Sequence, residues 1–412
     1  MIKKRIQALA ILSVAAVAVA SFVAVPSSSA ASKTIKIGYL NATIGPFAGP
    51  APDGTRGVNM ALKEFGGAIA GRKIQIIEEA TDATPATAVT KAKKLVEKDK
   101  VDIIFGPLSG DEGVAIANYA KSVPSVTFVN SSSSATEATL TVKAKNFFRF
   151  HGDAAQWNGG LGEEAYKMGY KKIATLADDY SFPYANFGGF AAGFCKAGGE
   201  IVKAQWPALG TKDYSSVVAA IPAGIDAIYA GVGGSDAVNF LTTATQNGVK
   251  KPLIGGTILV DASVLAAKAD IQDAANGTIA AGPVPPADYH SATWDKFVAD
   301  YAKVKDAYPS PSIFAILYYN SFKSLLAGLK AVKGDLSGNQ KALRAALSSL
   351  KWETPTGPLS MDKNRNAITS TFIYKVVSDG NGGLTTKSIK RFDNVAQGSK
   401  VYGRVNSCAD VK

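Results

Sequence analysis

Short apolar runs alternate with amphipathic helical stretches along most of this chain. The pattern is clearest over residues 101–137, where the apolar runs 101–105 and 126–129 each predict a strand that opens directly into a loop of Gly, Pro, Ser and Asn. Strands that alternate with helices through short connections form parallel sheets covered by helices. The alternation therefore predicts an α/β fold built from doubly wound parallel sheets.

The two polar loops of this stretch follow neighbouring strands. Ser109 and Gly110 come after the first strand, and residues 131–134, all serine, come after the second. Ligands of parallel sheets bind just past the carboxyl ends of the strands, and hydroxyls with free backbone N–H groups at a loop-to-helix junction suit a carboxylate. Either loop alone is more typical of an ordinary helix cap. Together, two such loops favour a binding site.

The N-terminus carries the pattern of an export signal. Three basic residues at positions 3–5 precede an almost wholly apolar run, residues 6–25, and the small-residue stretch SSSAAS follows. This order predicts a secretory signal peptide over residues 1–31, cleaved near Ala30 or Ala31. A retained membrane anchor is the alternative, because the run is about long enough to span a bilayer. The small-residue region favours cleavage and a periplasmic mature protein.

Composition limits the partners and the domain count. The net charge is +12, and the loss of the three N-terminal cations leaves +9. A basic protein attracts nucleic acid or anionic membranes, but residues such as Lys91, Lys94 and Lys98 are spread as on one solvated helix face. With export, this disfavours nucleic acid. The remaining chain of about 380 residues is long enough for two domains.

The residues that carry chemistry are sparse. Cys195 and Cys408 allow one disulfide in an oxidising compartment, and two free thiols are the alternative. With only His151 and His290 beside them, they provide poor material for a metal site, and we predict no metal and no cofactor. The sequence has no G-x-S-x-G, H-E-x-x-H, phosphate-loop or C-x-x-C motif. We therefore expect binding without catalysis.

The second half of the chain repeats the strand–helix order and then changes. Three helical segments are predicted near 291–306, 311–332 and 338–350, and the aromatic residues of the middle segment are expected in the core of the first lobe. Two strands joined by the turn DKNRN follow. The polar segment after residue 379 is expected to be peripheral.

Four sequence stretches together resemble one known family. They are GPFAGPAPDGTRGVNMALKEF, IIFGPLSG, VTFVNSSSSATE and GPLSMDKNRN. In their order and spacing they resemble the periplasmic leucine/isoleucine/valine-binding proteins, which are solute-binding subunits of branched-chain-type ABC transporters. The resemblance implies the type I periplasmic binding fold, with two doubly wound lobes joined by three crossovers near 150, 280 and 355. The boundaries implied are lobe 1 over 32–150 plus 283–355, lobe 2 over 151–282 plus 356–400, and a tail over 401–412.

The resemblance also implies where a ligand binds. Its carboxylate would be held on lobe 1 by Ser109 or Gly110 and by Ser132 and Ser134. Removal of the Ser134 hydroxyl is expected to weaken binding. Lobe 2 would contribute an aromatic ring from the loop DDYSFPY, and the candidate residues there are Tyr180 and Phe182.

One departure from the family pattern bears on the ligand. The family places a glutamate for the ligand ammonium where this chain has Thr257, and an uncompensated ammonium in a closed cleft would cost several kcal/mol. Tyr39, Phe47 and the two lobe 2 rings could instead line a flat apolar pocket. An aromatic or other organic carboxylate is therefore favoured over an amino acid, unless one of three acids substitutes: Asp178, Asp179 or Asp236.

The expected function is that of a monomeric solute-binding subunit that closes over a small carboxylate by hinge bending and presents it to an ABC permease in the inner membrane. Binding of a branched-chain amino acid is the first alternative. A ligand-sensing regulator with the same fold is an alternative of another class, and the predicted export and the lack of a fused signalling domain disfavour it. An exported hydrolase is a further alternative, and the lack of a nucleophile–base pair disfavours it.

Overall fold

The strands and helices alternate along the chain as the sequence predicts. The computed structural model describes residues 34–267 and 271–411, which form one compact unit. The predicted signal peptide lies outside the described residues. The strands are β1 (Thr34–Asn41), β2 (Ala68–Ile69), β3 (Arg72–Ala80), β4 (Ile103–Phe105), β5 (Thr127–Asn130), β6 (Phe147–Arg149), β7 (Lys172–Ala177), β8 (Glu200–Gln205), β9 (Ala227–Gly231), β10 (Leu253–Gly255), β11 (Ile279–Gly282), β12 (Lys351–Thr354), β13 (Gly357–Met361), β14 (Ala367–Ser378) and β15 (Leu384–Val395).

The helices connect these strands. They are α1 (Ala51–Glu64), α2 (Pro85–Glu97), α3 (Gly110–Ser122), α4 (Glu137–Leu140), α5 (Ala154–Lys167), α6 (Ser181–Lys196), α7 (Ser215–Ala219), α8 (Gly234–Gln246), α9 (Ala262–Leu265), α10 (Gln272–Ala275), α11 (Ala292–Tyr301), α12 (Ile313–Ala331) and α13 (Ser337–Ser348). Two short 3₁₀ helices, Gly45–Phe47 and Cys408–Val411, complete the described elements.

The first sheet has the strand order β2-β3-β1-β4-β5-β6, and its pairs are parallel except for β2 with β3. Successive side chains of a strand point to opposite faces. Ile103 and Phe105 accordingly pack with α1 and α12, while Ile104 packs with α2 and α3 on the other face. The predicted packing of the long apolar helix on the first sheet is therefore confirmed.

The second sheet has the strand order β12-β13-β14-β11-β10-β9-β7-β8, with β15 added beside β14. Strands β7 to β11 pair in parallel, and β11, β14 and β15 pair antiparallel. Helices α5 and α6 cover one face, and α7, α8 and α10 cover the other. Both sheets are thus covered on both faces, and the predicted doubly wound α/β class is confirmed.

Two lobes follow from the sheets. We call the first sheet with α1–α4 and α11–α13 lobe 1, and the second sheet with α5–α10 lobe 2. The chain passes between them three times, after β6, after β11 and after α13. These passages place the carboxyl ends of the lobe 1 strands, and the loops that follow them, beside lobe 2.

Two local predictions differ from the structure. The loop predicted over DDYSFPY ends early, because α6 already begins at Ser181 and takes Pro183 into its first turn, where proline is tolerated. The segment after residue 379 was expected to be peripheral but contains the long strand β15. Its side chains are mostly exposed and show no apolar alternation, so backbone pairing with β14 holds it in the sheet.

The two cysteines are joined. Cys195 on α6 and Cys408 in the last 3₁₀ helix form a disulfide with Cα atoms 5.5 Å apart. The bond attaches the C-terminal segment to lobe 2, which was one of the two arrangements that the sequence left open. None of the helices in the described part of the chain is long and apolar enough to cross a membrane.

Candidate ligand-binding site

A cavity of about 320 Å³ lies between the two lobes. Its polar wall comes from lobe 1 and contains Ser109, Gly110 and Ser132, all predicted from the strand-end pattern. Phe47, Tyr180 and Phe182, which were also predicted, line it too, and each is less than 10% exposed. The structure therefore brings six of the predicted residues together at one cavity between the lobes.

Ser109 is the N-cap of α3. Its hydroxyl donates to the carbonyl of Ala83 at 2.8 Å and accepts from the N–H of Glu112 at 3.3 Å, while Glu112 accepts from the N–H of Ser109 at 2.9 Å. This is a reciprocal capping box. The Ser109 hydroxyl is thus engaged within lobe 1, and its main effect is to start α3 at the cavity wall.

The start of α3 is a favourable place for an anion. The backbone N–H groups of Gly110 and Asp111 make no hydrogen bond to any described residue, as expected in a helix first turn. The helix is 13 residues long, so partial positive charge accumulates at this end. Burial raises the pKa of the Glu112 carboxyl to about 7, which reduces the opposing negative charge near neutral pH.

The serine loop after β5 divides between the cavity and the protein interior. The Ser132 hydroxyl donates to the carbonyl of Leu108 over a long 3.4 Å and lines the cavity. The Ser134 hydroxyl donates to the carbonyl of Ser132 at 2.7 Å and lies 3.5 Å from Nδ1 of His151. Ser134 is therefore placed behind the wall, contrary to the expectation that it faces the ligand, because the loop turns its side chain toward β6.

Two other predicted residues also lie outside the lining. Tyr39 packs in the lobe 1 core, with its hydroxyl 3.1 Å from that of Thr55. The Thr257 hydroxyl accepts from Asn158 at 2.8 Å and Asn186 at 3.0 Å, so it is held inside lobe 2. The neighbouring Ile258 takes the place at the cavity.

The apolar wall is an arc of aromatic rings. Phe47 contacts Tyr180 and Phe314 edge to face, with centroid separations of 6.4 and 6.2 Å. Phe182 lies 6.2 Å from Tyr180 and 6.2 Å from Trp157. Rings from both lobes thus enclose a space suited to a flat apolar group.

The acids considered as partners for a ligand ammonium are all engaged elsewhere. Asp178 accepts from Tyr214 at 3.3 Å, Asp236 accepts from the N–H of Gly210 at 2.6 Å, and Asp179 pairs with Arg404. Burial, together with the charge of Asp236, raises the pKa of Asp178 well above its usual value. Within residues 34–267 and 271–411, no carboxylate side chain lines the cavity.

Two hydrogen bonds, each from a backbone N–H group to a side-chain carboxylate, join the lobes beside the cavity. Asp111 of α3 accepts from the N–H of Ser181, the first residue of α6, at 2.9 Å. Asp261, which follows β10, accepts from the N–H of Ile313, the first residue of α12, at 2.6 Å. Each lobe therefore supplies a carboxylate to a helix N-terminus of the other, a favourable position for negative charge.

Several lining residues were not predicted. Trp157 is the fourth residue of α5 and lies eight positions beyond the end of β6, so the strand-end pattern did not include it. Phe314 was expected in the core with the other α12 aromatics, but it lies in the first turn and faces the cavity. The remaining unpredicted residues are Leu108, Ile258, Ile313 and Leu317. These aliphatic side chains carry no sequence signal that separates them from core residues.

The cavity offers nothing for a metal ion. Among the described residues, no group of three or more His, Cys, Asp or Glu side chains is arranged to hold one. His151 is fully buried, and burial and the nearby Arg149 charge lower its pKa well below the usual value. Its neutral ring lies between Ser134 and Asn130, at 3.5 and 3.3 Å, which is a structural position.

Comparison with known proteins agrees with this architecture. The family model described as periplasmic binding protein matches residues 34–381. A Leu/Ile/Val-binding protein homolog 6 of Brucella melitensis is 24% identical over 379 residues, which cover 89% of this chain and 94% of the relative.

Two solved structures have the same fold. A solute binding protein of an ABC transporter from Rhodopseudomonas palustris BisB5, in complex with 3,4-dihydroxybenzoic acid, is 27% identical with a TM-score of 0.81, covering 89% of this chain and 99% of that one. A solute binding protein from R. palustris in complex with benzoate is 24% identical with a TM-score of 0.78, covering 86% and 96%. The chain belongs to the periplasmic binding protein family and has its type I fold.

Proposed function

We propose that this chain is the extracytoplasmic solute-binding subunit of an ABC importer and that it binds a small aromatic carboxylate. The observation that carries the proposal is the pairing of two features in one cavity: the backbone N–H groups of Gly110 and Asp111 at the start of α3, which bond no described residue, and an arc of aromatic rings. The first favours an anionic group, and the second favours a flat apolar body. A solute with both parts is an aromatic acid.

The alternative ligand is a branched-chain amino acid, as the names of the Leu/Ile/Val-binding relatives indicate. An α-amino acid would bring an ammonium group into the closed cavity, where the described lining provides no carboxylate. Burial of an unpaired charge costs several kcal/mol. The solved structure with 27% identity contains 3,4-dihydroxybenzoic acid, and this supports an aromatic acid as the ligand.

The test is a ligand comparison by thermal shift and calorimetry. Benzoate, 4-hydroxybenzoate and cinnamate are each compared with leucine, isoleucine and valine, using the mature protein. At least one aromatic acid is expected to raise Tm, and to raise it further with the logarithm of its concentration above Kd, because a ligand that binds only the folded protein stabilises it. Stabilisation by the amino acids with none by the aromatic acids would refute the proposed ligand class.

The ligand would bind in three steps. The carboxylate first meets the lobe 1 wall, lobe 2 then rotates about the three chain passages, and closure forms the aromatic arc. The cross-lobe hydrogen bonds of Asp111 and Asp261 stabilise the closed form. A ligand shifts the open–closed equilibrium only by its preference for the closed state, and that state would present a surface from both lobes to a membrane permease.

The Ser132 hydroxyl is expected to contribute directly to anion binding. Its present hydrogen bond to Leu108 is long, so it is available to donate to a carboxylate. Ser132→Ala should weaken binding by about 1 to 2 kcal/mol, roughly five- to thirtyfold, because a charge-assisted hydrogen bond is lost. Calorimetry with the best aromatic acid measures the change.

The matched control is Ser134→Ala in the same loop. The Ser134 side chain lies behind the cavity wall, so this variant should bind within about twofold of the wild type. If Ser134→Ala lost more affinity than Ser132→Ala, the assignment of Ser132 would be contradicted. Ser134 would then be the residue of this loop that binds the carboxylate.

Export, monomeric state and lack of catalysis complete the proposal. Family membership supports an extracytoplasmic location, and the N-terminal pattern of residues 1–31 supports export through a cleaved signal. A rival function as an exported hydrolase predicts product release from aryl esters or amides. No release above the buffer rate is expected, because the buried neutral His151 lies against Asn130 and outside the cavity.

A further inference from the structure

One polar atom of the cavity has no role in the carboxylate site. Tyr180 is 5% exposed and lines the cavity from lobe 2. Its hydroxyl makes no hydrogen bond to any residue in the described part of the chain. Two other buried tyrosines of lobe 2 do find acceptors, since Tyr214 donates to Asp178 and Tyr229 donates to Asn186. Tyr180 therefore brings to the cavity lining a hydroxyl donor and acceptor that no described protein group engages.

The surroundings of this hydroxyl limit what the partner is. Burial raises the pKa of the Tyr180 phenol well above its usual value, and the nearby acids Asp178, Asp111 and Asp236 add to this effect. The phenol is therefore a neutral group in a negative environment. Such a position disfavours a second anionic group and suits a neutral one that hydrogen-bonds.

The carboxylate and the phenol belong to different lobes. The start of α3 and Ser132 lie on lobe 1, whereas Tyr180 precedes α6 on lobe 2. A ligand held between the lobes would meet the anion site with one end and the Tyr180 hydroxyl with another edge of its ring.

We infer that Tyr180 makes the cavity selective for aromatic acids that carry a ring hydroxyl, by hydrogen bonding between the Tyr180 hydroxyl and that of the ligand. This inference rests on the proposed function, because it takes the carboxylate at α3 as given. A site built to pair a hydroxyl rejects the analogue that lacks it, since binding the analogue buries the protein group without a partner.

The experiment compares the wild type and one variant with three ligands. Benzoate, 3-hydroxybenzoate and 4-hydroxybenzoate are titrated by calorimetry into the wild type and into Tyr180→Phe, which keeps the ring and removes only the hydroxyl. In the wild type, at least one hydroxybenzoate should bind tenfold or more tighter than benzoate. In Tyr180→Phe this difference should fall below about threefold.

The control is Tyr184→Phe, one turn along α6. The Tyr184 hydroxyl donates to Asp179 and does not line the cavity, so all three affinities should stay unchanged. Equal affinity of the wild type for all three acids would overturn the selectivity, as would a hydroxyl preference that survives in Tyr180→Phe. Loss of benzoate binding in Tyr180→Phe would place Tyr180 at the carboxylate instead. Failure of all three acids to bind the wild type would count against the proposed benzoate-type ligand and not against the role of Tyr180 alone.

Discussion

Alanine at Gly110 should remove most of the ligand affinity while leaving the unliganded fold intact. Gly110 is the first residue of α3, and in the closed structure it meets the start of α6. A Cβ atom there would lie 2.6 Å from Oγ of Ser181 and 2.7 Å from the backbone nitrogen of Phe182. The backbone contact is not relieved by a rotamer change, so the lobes must separate. Overpacking of this kind costs about 2 to 3 kcal/mol, or roughly 30- to 150-fold in affinity.

The atoms that a Cβ at Gly110 would meet all belong to lobe 2. The substitution should therefore affect closure and not the folding of lobe 1. The Tm of the unliganded variant should match the wild type within about 2 °C, because the open form has no clash and a destabilisation below 1 kcal/mol shifts Tm by a few degrees at most. The matched control is Gly159→Ala on α5, where a Cβ would meet nothing within 4 Å. Unchanged affinity in Gly110→Ala would mean that the ligand-bound protein does not close at this contact.

Arg149→Ala should destabilise the whole protein. The Arg149 side chain is fully buried where the chain leaves lobe 1, and it donates to Asn366 at 2.6 Å, to the carbonyl of Ala135 at 2.6 Å and to Thr139 at 2.7 Å. Asp153 lies 3.8 Å away and is also buried. Burial lowers the pKa of Arg149 to about 10, so the guanidinium stays charged at neutral pH.

Removal of Arg149 leaves the buried Asp153 charge and several acceptors without their partner. Breaking a buried ion pair from one side costs about 3 to 5 kcal/mol, which urea denaturation would report as a lower midpoint with an unchanged slope. Arg404→Ala is the control, because Arg404 pairs with Asp179 at the surface and is half exposed; its loss should cost less than about 1 kcal/mol. A change below 1 kcal/mol for Arg149→Ala would show that water replaces the buried network.

The lobe 1 half of the site was predictable because it follows from local pattern. Ser109, Gly110 and Ser132 come directly after two apolar runs, and the carboxyl ends of parallel strands meet at one edge of a sheet. Trp157 lies within α5, eight positions beyond the end of β6, and was outside this rule. The rule does not predict that the Ser134 side chain points away from the cavity. The direction of a side chain within a loop depends on the hydrogen bonds that the loop makes, here with Ser132 and His151.

The lobe 2 half was less predictable. Tyr180 and Phe182 were candidates because of their aromatic character, and both line the cavity. Thr257 was placed in the site by alignment with a family position, but two asparagines hold it inside lobe 2, and Ile258 faces the cavity instead. Asp261, which binds the start of α12 across the cleft, had no signal in the sequence because its partner is 52 residues away.

The sequence by itself determined the α/β class, the alternation of strands with helices and the strand-end loops that line the cavity. These properties depend on the spacing of apolar and polar residues over distances of a few residues, which the backbone geometry converts directly into structure. The tertiary structure alone decided which rings face each other, that the acids of lobe 2 turn away from the cavity, and that the Tyr180 hydroxyl is left without a partner. Those outcomes depend on contacts between lobes that are far apart in the chain, where packing and hydrogen bonding select one arrangement among many that the same local pattern allows.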